Sequence, residues 1–169
     1  MDLMDFGQAT LYFDDPAGSE VEALIAEAGG CYGEQAAETL LYRAHFLAPQ
    51  SLLVLVALYR YFFYQHRLPE GLLVAERALA VAGRRLEFPA DWRALHPSYL
   101  GHGAMRSMGM LRFYLNVLKA SAYLHLRLGR MEEGRARLLK LIEMDSHDRL
   151  GGKALLDLVE TKDAEAEAA

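Results

Sequence analysis

Apolar residues recur every three to four positions along most of the chain, which is the period of an α-helix with one buried face. Only residues 10–13 show the alternation that is typical of a strand. Gly29 and Gly30 end the first predicted helix, Pro49 ends the second, and Ser51 is placed to cap the third. The sequence therefore predicts an all-α fold, with helices at residues 19–28, 33 or 34 to 47, 51–65, 69–83, 104–128, 131–144 and 148–161.

Two short segments of the chain resemble each other. Residues 66–71 read His-Arg-Leu-Pro-Glu-Gly and residues 129–134 read Gly-Arg-Met-Glu-Glu-Gly, and each joins a long apolar helix to an amphipathic one. Repeated turns of this kind are typical of stacked helical hairpins. We therefore predict three hairpins and a last short helix that caps the stack, in a single domain over residues 1–161. Residues 162–169 are rich in Ala and Glu, which predicts a flexible acidic tail.

Small and large apolar residues recur at corresponding positions in the three hairpins. They are Leu24, Ala37, Leu41, Ala44 and Pro49, then Leu55, Leu58, Tyr59, Phe62, Gly71, Ala75 and Ala78, then Leu118, Ala122, Gly129, Gly134, Leu138 and Leu141. This arrangement resembles tetratricopeptide repeats, in which small residues let two helices approach closely and large ones fill the space to the next hairpin. His66 and Gly129 are 63 residues apart, which is not a multiple of that family's repeat of 34. The chain is therefore tetratricopeptide-like.

The resemblance implies that one face of the first helix in each hairpin is left as a groove. An aromatic and cationic groove suits a protein surface or a peptide with some acidic character. The alternative is that the aromatic residues are simply core, because residues 51–64 are apolar nearly all round. The partner-binding residues predicted on this face are Arg60, Phe63, Tyr64, Lys119 and Tyr123, beside Leu53, Val56 and Asn116.

A long irregular segment, residues 83–103, is predicted as an insert between the second and third hairpins. Connections between helices are usually far shorter, and long loops in compact domains are functional or disordered. Trp92 and the Gly-His-Gly triplet at residues 101–103 argue against disorder. Two interpretations stay open: a contact loop in which Trp92, His96 and His102 bind the partner, or a packed insertion whose Trp92 fills the core.

Composition limits the class of protein. The chain has 169 residues, of which 53% are hydrophobic and 24% charged, as in an ordinary soluble domain. Its net charge is -5, and the absence of a Lys/Arg-rich run argues against nucleic acid as a partner. The acidic start at residues 1–5 is unlike a signal peptide, and the apolar stretch at residues 51–64 is shorter than the roughly 20 residues of a membrane span. We therefore expect a cytoplasmic protein that does not associate with membranes.

Signals for chemistry are weak. The six histidines lack paired helical spacing, and the Glu-x-x-His of diiron bundles is absent. Neither Gly-x-Ser-x-Gly nor a phosphate-binding Gly-x-x-x-x-Gly-Lys sequence occurs. Cys31 lies near the predicted start of the second helix, where the helix dipole would favour a thiolate, but a lone cysteine is more often a small buried residue. We predict no catalytic residue, no metal and no cofactor; the alternative is a thiol or metal enzyme that uses Cys31 and the histidines.

Three segments carry a narrower resemblance: residues 47–67, the Glu-Arg-Ala-Leu sequence at residues 76–79 and Asp-Trp-Arg at residues 91–93. Over most of the chain they resemble the nitrogenase-associated factor T family, small tetratricopeptide-like proteins encoded with nitrogen-fixation genes. The resemblance implies a non-enzymatic adaptor or assembly chaperone. Its expected partner is the nitrogenase molybdenum-iron protein, during assembly, maturation or damage of that protein. A generic cytoplasmic co-chaperone for another protein is the alternative.

Overall fold

The computed structural model describes the backbone of residues 15–167 and the side chains of residues 15–161. Every regular element in that part of the chain is helical, so the predicted all-α class is confirmed. The strand pattern at residues 10–13 lies outside the described residues. The α-helices are α1 Ser19–Gly30, α2 Gln35–Leu47, α3 Leu52–Tyr64, α4 Leu68–Arg85, α5 Ser98–Arg127, α6 Met131–Met144 and α7 Gly152–Glu167.

The start of α3 is fixed by two caps. Ser51 is the predicted cap, and its Oγ accepts a hydrogen bond from the Val54 amide. The second cap comes from Asp15, whose Oδ2 accepts hydrogen bonds from the amides of Leu52, at 2.6 Å, and Leu53, at 3.2 Å. The other oxygen of Asp15 binds Arg85 at the end of α4. A carboxylate at a helix N-terminus satisfies free amides and complements the helix dipole.

The insert between α4 and α5 is shorter than predicted. It comprises residues 86–97, because α4 continues to Arg85 and α5 begins at Ser98, and a short 3-10 helix at Trp92–Ala94 lies within it. α5 contains a break at Ser107, whose backbone is extended and whose Oγ accepts a hydrogen bond from the Met110 amide. The break lies close to the predicted helix start at residue 104. The helix itself therefore begins earlier, and Ser107 caps its second part.

The core follows the order of the helices. One buried cluster lies between α1, α2 and α3, a larger one joins α3, α4, the insert, α5 and α6, and a third joins α5, α6 and α7. α3 contributes to the first two clusters, which explains why residues 51–64 are apolar nearly all round. At the other end of the chain, α7 extends to Glu167, past its predicted end at residue 161.

The two similar turns predicted from the sequence have the same backbone geometry. Arg67, before α4, has φ -87° and ψ 66°, and Arg130, before α6, has φ -89° and ψ 68°. His66 and Gly129 both adopt positive φ, of 57° and 73°. The Arg67 amide donates to the carbonyl of Phe62, and the Arg130 amide donates to the carbonyl of His125; both acceptors lie two residues before the last residue of their helix. The repeated sequence therefore encodes a repeated helix-ending turn.

We expect the His66→Gly variant to be more stable than the natural protein. The left-handed backbone conformation is sterically strained for a residue with a side chain, but not for glycine. After the greater freedom of glycine in the unfolded chain is allowed for, the gain is about 0.5 kcal/mol. Urea unfolding followed by circular dichroism measures it. Gly129→Ala is the matched control and should destabilise the protein by about 1 kcal/mol; a destabilised His66→Gly variant would contradict the equivalence of the turns.

Candidate protein-binding groove

An open groove of about 350 Å³ lies between α3, α5 and the start of α7. α3 contributes Tyr59 and Phe63, which are one helical turn apart and therefore lie on one face. We call this feature the aromatic groove. Its α5 wall carries four residues at spacings of three and four, namely Asn116, Lys119, Ala120 and Tyr123.

The facing wall comes from α7 and the turn before it. It consists of Gly151, Ala154, Leu155 and Leu158, and the side chain of Leu158 is 62% exposed. The other side of α7 is held to the body of the protein by Leu156 and Val159, which are buried. The aromatic groove is therefore bounded by apolar side chains on both sides. These side chains do not fill the space between them.

Lys119 connects the two walls. Its Nζ donates a hydrogen bond of 2.6 Å to the carbonyl of Leu150, in the turn between α6 and α7. The amide of Leu150 in turn donates to Asp145 Oδ2, at 2.7 Å. Asn116 contributes a side-chain amide whose Nδ2 donates to the carbonyl of Arg112. The polar groups of the groove thus include the ammonium group of Lys119, the side-chain amide of Asn116 and the hydroxyl of Tyr123.

A row of aromatic rings continues from the groove along the ends of the helices. Phe63 lies 6.2 Å from Tyr123 and 5.9 Å from Tyr64, measured between ring centroids, and Tyr64 lies 6.3 Å from Tyr32. Arg127 extends the row, because its Nη1 donates to the hydroxyl of Tyr123 at 2.7 Å. Tyr32 and Tyr64 are each 46% exposed. Exposed tyrosine and arginine side chains are the types that dominate protein-protein interfaces.

The structure brings together three of the eight predicted partner-binding residues. Phe63, Lys119 and Tyr123 line the aromatic groove, together with Asn116. Tyr64 lies in the adjoining aromatic row, and Arg60, half-buried in the preceding turn of α3, accepts a hydrogen bond at its carbonyl from Tyr32. The α7 wall was missed by sequence reasoning. The spacing of Gly151, Leu155 and Leu158 shows one apolar face of α7, but not which part of the fold that face meets.

The residues predicted in the insert lie elsewhere. Trp92 is 7% exposed and belongs to the main core cluster, as the packed-insertion interpretation predicts. It is therefore not part of the proposed binding surface. His96 is exposed beside the start of α5, where its Nδ1 accepts a hydrogen bond from the Ser98 amide. His102 lies on α5 itself and is paired with Glu87, 3.2 Å away.

A buried arginine connects four parts of the fold. Arg137 on α6 is 5% exposed; its Nε donates to Ser121 on α5, its Nη1 to Glu133 one turn earlier, and its Nη2 to Glu76 on α4 at 2.6 Å. Its guanidinium also lies 4.8 Å from the centroid of the Trp92 ring. We call these residues the Arg137 cluster. They fix the insert and α4 against the third hairpin.

His125 lies next to the Arg137 cluster, on α5. Burial lowers the pKa of His125, and the nearby Arg137 guanidinium lowers it further, while Glu76 and Glu133 act in the opposite direction. Its Nε2 is 3.5 Å from Glu76, and neither ring nitrogen has a hydrogen-bond partner in the described part of the chain. Burial and the Arg137 guanidinium therefore favour the neutral imidazole in the folded protein.

The lowered pKa of His125 predicts a pH-dependent stability. The unfolded chain takes up a proton near the ordinary histidine pKa of about 6.5, whereas the folded protein does so only at lower pH. Stability is therefore highest above that pH, and the free energy of unfolding should fall as the pH is lowered from 7.5 to 5.5. His45, whose pKa is lowered by burial and by Arg77, acts in the same direction.

Urea unfolding at the two pH values tests this. The loss of stability should be smaller in the His125→Leu variant than in the natural protein. An equal loss in the natural protein and in His125→Leu would show that His125 takes up its proton without penalty.

The geometry of Cys31 differs from the prediction. Cys31 caps the carbonyl end of α1, and its Sγ contacts the carbonyl oxygen of Glu27 at 3.4 Å. Cys31 therefore lies at the carboxyl end of α1, four residues before α2 begins at Gln35, and not in the first turn of α2. Among the residues that the structure describes, no group of three or more His, Cys, Asp or Glu side chains is arranged to hold a metal ion.

The helices and the groove define the class of protein: an all-α protein of successive helical hairpins with an open aromatic groove. None of the described helices combines the length and apolar character needed to cross a bilayer. No protein-family model matches the chain, and no solved structure matches it. The chain is 47% identical over 165 residues to an uncharacterized 19.8 kDa protein in the nifW 5' region of Azotobacter chroococcum mcd 1. That match covers 98% of this chain and 92% of the relative, so the chain belongs to the same family.

Proposed function

We propose that this protein is a non-enzymatic, tetratricopeptide-like adaptor or assembly chaperone of the cytoplasm, and that it docks on the nitrogenase molybdenum-iron protein. The observation that carries the binding role is the aromatic groove, with Phe63 and Tyr123 on one side and Leu158 on the other. Aromatic side chains in an open concave surface are typical anchors for a protein partner.

The partner is proposed from the relative and from the sequence resemblance. The relative is described as a protein in the nifW 5' region, which supports a link to nitrogen fixation for this chain as well. The resemblance to the nitrogenase-associated factor T family points to the molybdenum-iron protein in particular. A small helical protein would hold that component during assembly, maturation or damage, and it would contribute no reacting group of its own.

An anaerobic pull-down tests the proposal. The tagged protein is recovered from cells grown with and without fixed nitrogen, and bound proteins are identified by mass spectrometry. We expect nitrogenase molybdenum-iron subunits in stoichiometric amounts, and only from the nitrogen-fixing cells. Recovery of a general chaperone in both conditions would favour the co-chaperone alternative, and recovery of no protein would contradict the adaptor role.

A pair of variants shows whether the groove is used. Phe63→Ala removes an aromatic side chain from the groove, whereas Phe46→Ala removes one that is 85% exposed on α2 and does not line the groove. Circular dichroism first checks that both variants fold. We expect Phe63→Ala to lose most of the captured partner and Phe46→Ala to retain it.

A further inference from the structure

The aromatic groove is a gap between two apolar walls. Tyr59 and Phe63 form one side, and Leu155 and Leu158 form the other, around a volume of about 350 Å³. This lies near the lower end of the roughly 300–1,000 Å³ of ligand pockets, so a bulky side chain fits but a whole helix does not. Leu158 is 62% exposed although it faces aromatic side chains. An apolar side chain placed in the gap would remove both walls from water.

The described residues that line the groove carry positive charge only. Lys119 is the charged group among the described lining residues, and no carboxylate is among them. An ammonium group has three N–H donors, and the carbonyl of Leu150 accepts one of them. Arg127, bonded to the hydroxyl of Tyr123, adds a second positive charge beside the groove. On α7, Glu160 is paired with Arg135 of α6.

We infer that the aromatic groove binds an acidic segment of a partner protein. In this segment one large apolar side chain enters the gap between Phe63 and Leu158, and a neighbouring carboxylate pairs with Lys119. A charged acceptor makes a stronger hydrogen bond with an ammonium group than a neutral carbonyl does. The inference rests on the proposed function, which it deepens by naming the chemistry of the bound segment.

The partner segment is unidentified, so the probe is a phage-displayed library of random twelve-residue peptides, panned on the full-length protein. We expect enriched peptides to carry a Leu, Met, Phe or Trp with an Asp or Glu close to it in sequence. Two variants at one exposed position then test how the sign of the charge in the groove affects binding. Leu158→Glu places a carboxylate in the groove, and Leu158→Lys places an ammonium group there with a side chain of similar length.

The affinity of the most enriched peptide is measured by fluorescence anisotropy for both variants. We expect Leu158→Glu to bind at least about tenfold more weakly than Leu158→Lys, because like charges then oppose each other across the groove. Equal affinities, enrichment of basic peptides, or no enrichment at all would overturn the inference. Because position 158 is exposed, both variants should fold, and circular dichroism verifies this.

The peptide panning and the pull-down can fail independently of each other. If panning yields acidic, apolar peptides while the pull-down recovers no nitrogenase subunit, the groove chemistry stands and the proposed partner is wrong. If the pull-down recovers nitrogenase subunits but panning does not enrich such peptides, docking uses another surface and the inference is wrong.

Discussion

The Arg137→Met variant should lose about 3 kcal/mol of stability. Methionine keeps much of the side-chain volume but removes the hydrogen bonds to Ser121, Glu133 and Glu76 and the contact with Trp92. Removing one partner of a buried ion pair typically costs roughly 3–5 kcal/mol, because the charge of the remaining partner is left without its counter-charge. We expect the lower end of that range, since the side chains of Glu76 and Glu133 are partly exposed and can regain water.

Urea unfolding, followed by circular dichroism and by the fluorescence of Trp92, measures the effect. The single tryptophan of the chain contacts the Arg93 and Arg137 guanidinium groups, which lie 4.4 and 4.8 Å from the centroid of its ring, so its emission reports directly on this cluster. Arg135→Met is the matched control. Arg135 lies on the same helix and pairs with Glu160 at the surface, where an ion pair contributes about 0.5 kcal/mol. Similar losses in both variants would contradict the structural role of the buried arginine.

Gly134→Ala and Gly71→Ala should have effects of opposite sign. Both glycines occupy the first turn of the second helix in their hairpin. A Cβ at Gly134 would lie 2.5 Å from Leu126 Cγ and 3.0 Å from the carbonyl oxygen of Ala122. At Gly71 the nearest atom is Phe62 Cβ, at 3.8 Å, which is an ordinary contact. The helices therefore approach more closely in the third hairpin than in the second.

Alanine in place of glycine favours a helix by about 1 kcal/mol, and this gain applies at both positions. Overpacking costs about 1–3 kcal/mol and applies only at Gly134. We expect Gly71→Ala to stabilise the protein by up to about 1 kcal/mol and Gly134→Ala to destabilise it by up to about 2 kcal/mol, which is the overpacking cost less the helix gain. Thermal and urea unfolding of the two variants measure the difference. Stabilisation by both substitutions would show that the close approach at Gly134 relaxes without penalty.

Local signals in the sequence predicted most of the fold. Gly30, Pro49 and Ser51 mark helix ends, and the similar segments at residues 66–71 and 129–134 form turns of the same geometry. These features depend on residues that are near one another in the chain, which is why a single sequence reveals them. The helical period likewise placed Phe63 on one face of α3, and Asn116, Lys119 and Tyr123 on one face of α5.

Long-range contacts could not be predicted in the same way. Asp15 caps α3 from a position 37 residues before Leu52, and Arg137 binds Glu76 from a position 61 residues after it. No local pattern marks a charged residue for burial, because its partners come from other helices. The position of α7 across the groove from α3 and α5 is also a property of the folded chain. For these reasons the sequence predicted one wall of the aromatic groove and missed the other.

The insert shows how composition can be read in two ways. A loop rich in aromatic residues can bind a partner or fill the core, and the sequence left both interpretations open. Leu86, Phe88, Trp92 and Leu95 are all buried, so this segment packs as a part of the core. Exposure, which depends on the fold, separates the two interpretations.

Hydrogen-deuterium exchange of the protein, alone and with the purified nitrogenase molybdenum-iron protein under anaerobic conditions, tests the central claim most directly. If the aromatic groove is the docking surface, exchange slows at residues 59–64, 116–123 and 151–158. Exchange at the outer helices, around Phe46 on α2 and Leu73 on α4, stays unchanged; both side chains are exposed and neither lines the groove. Protection around Phe46 and Leu73, with none at the groove, would contradict the account.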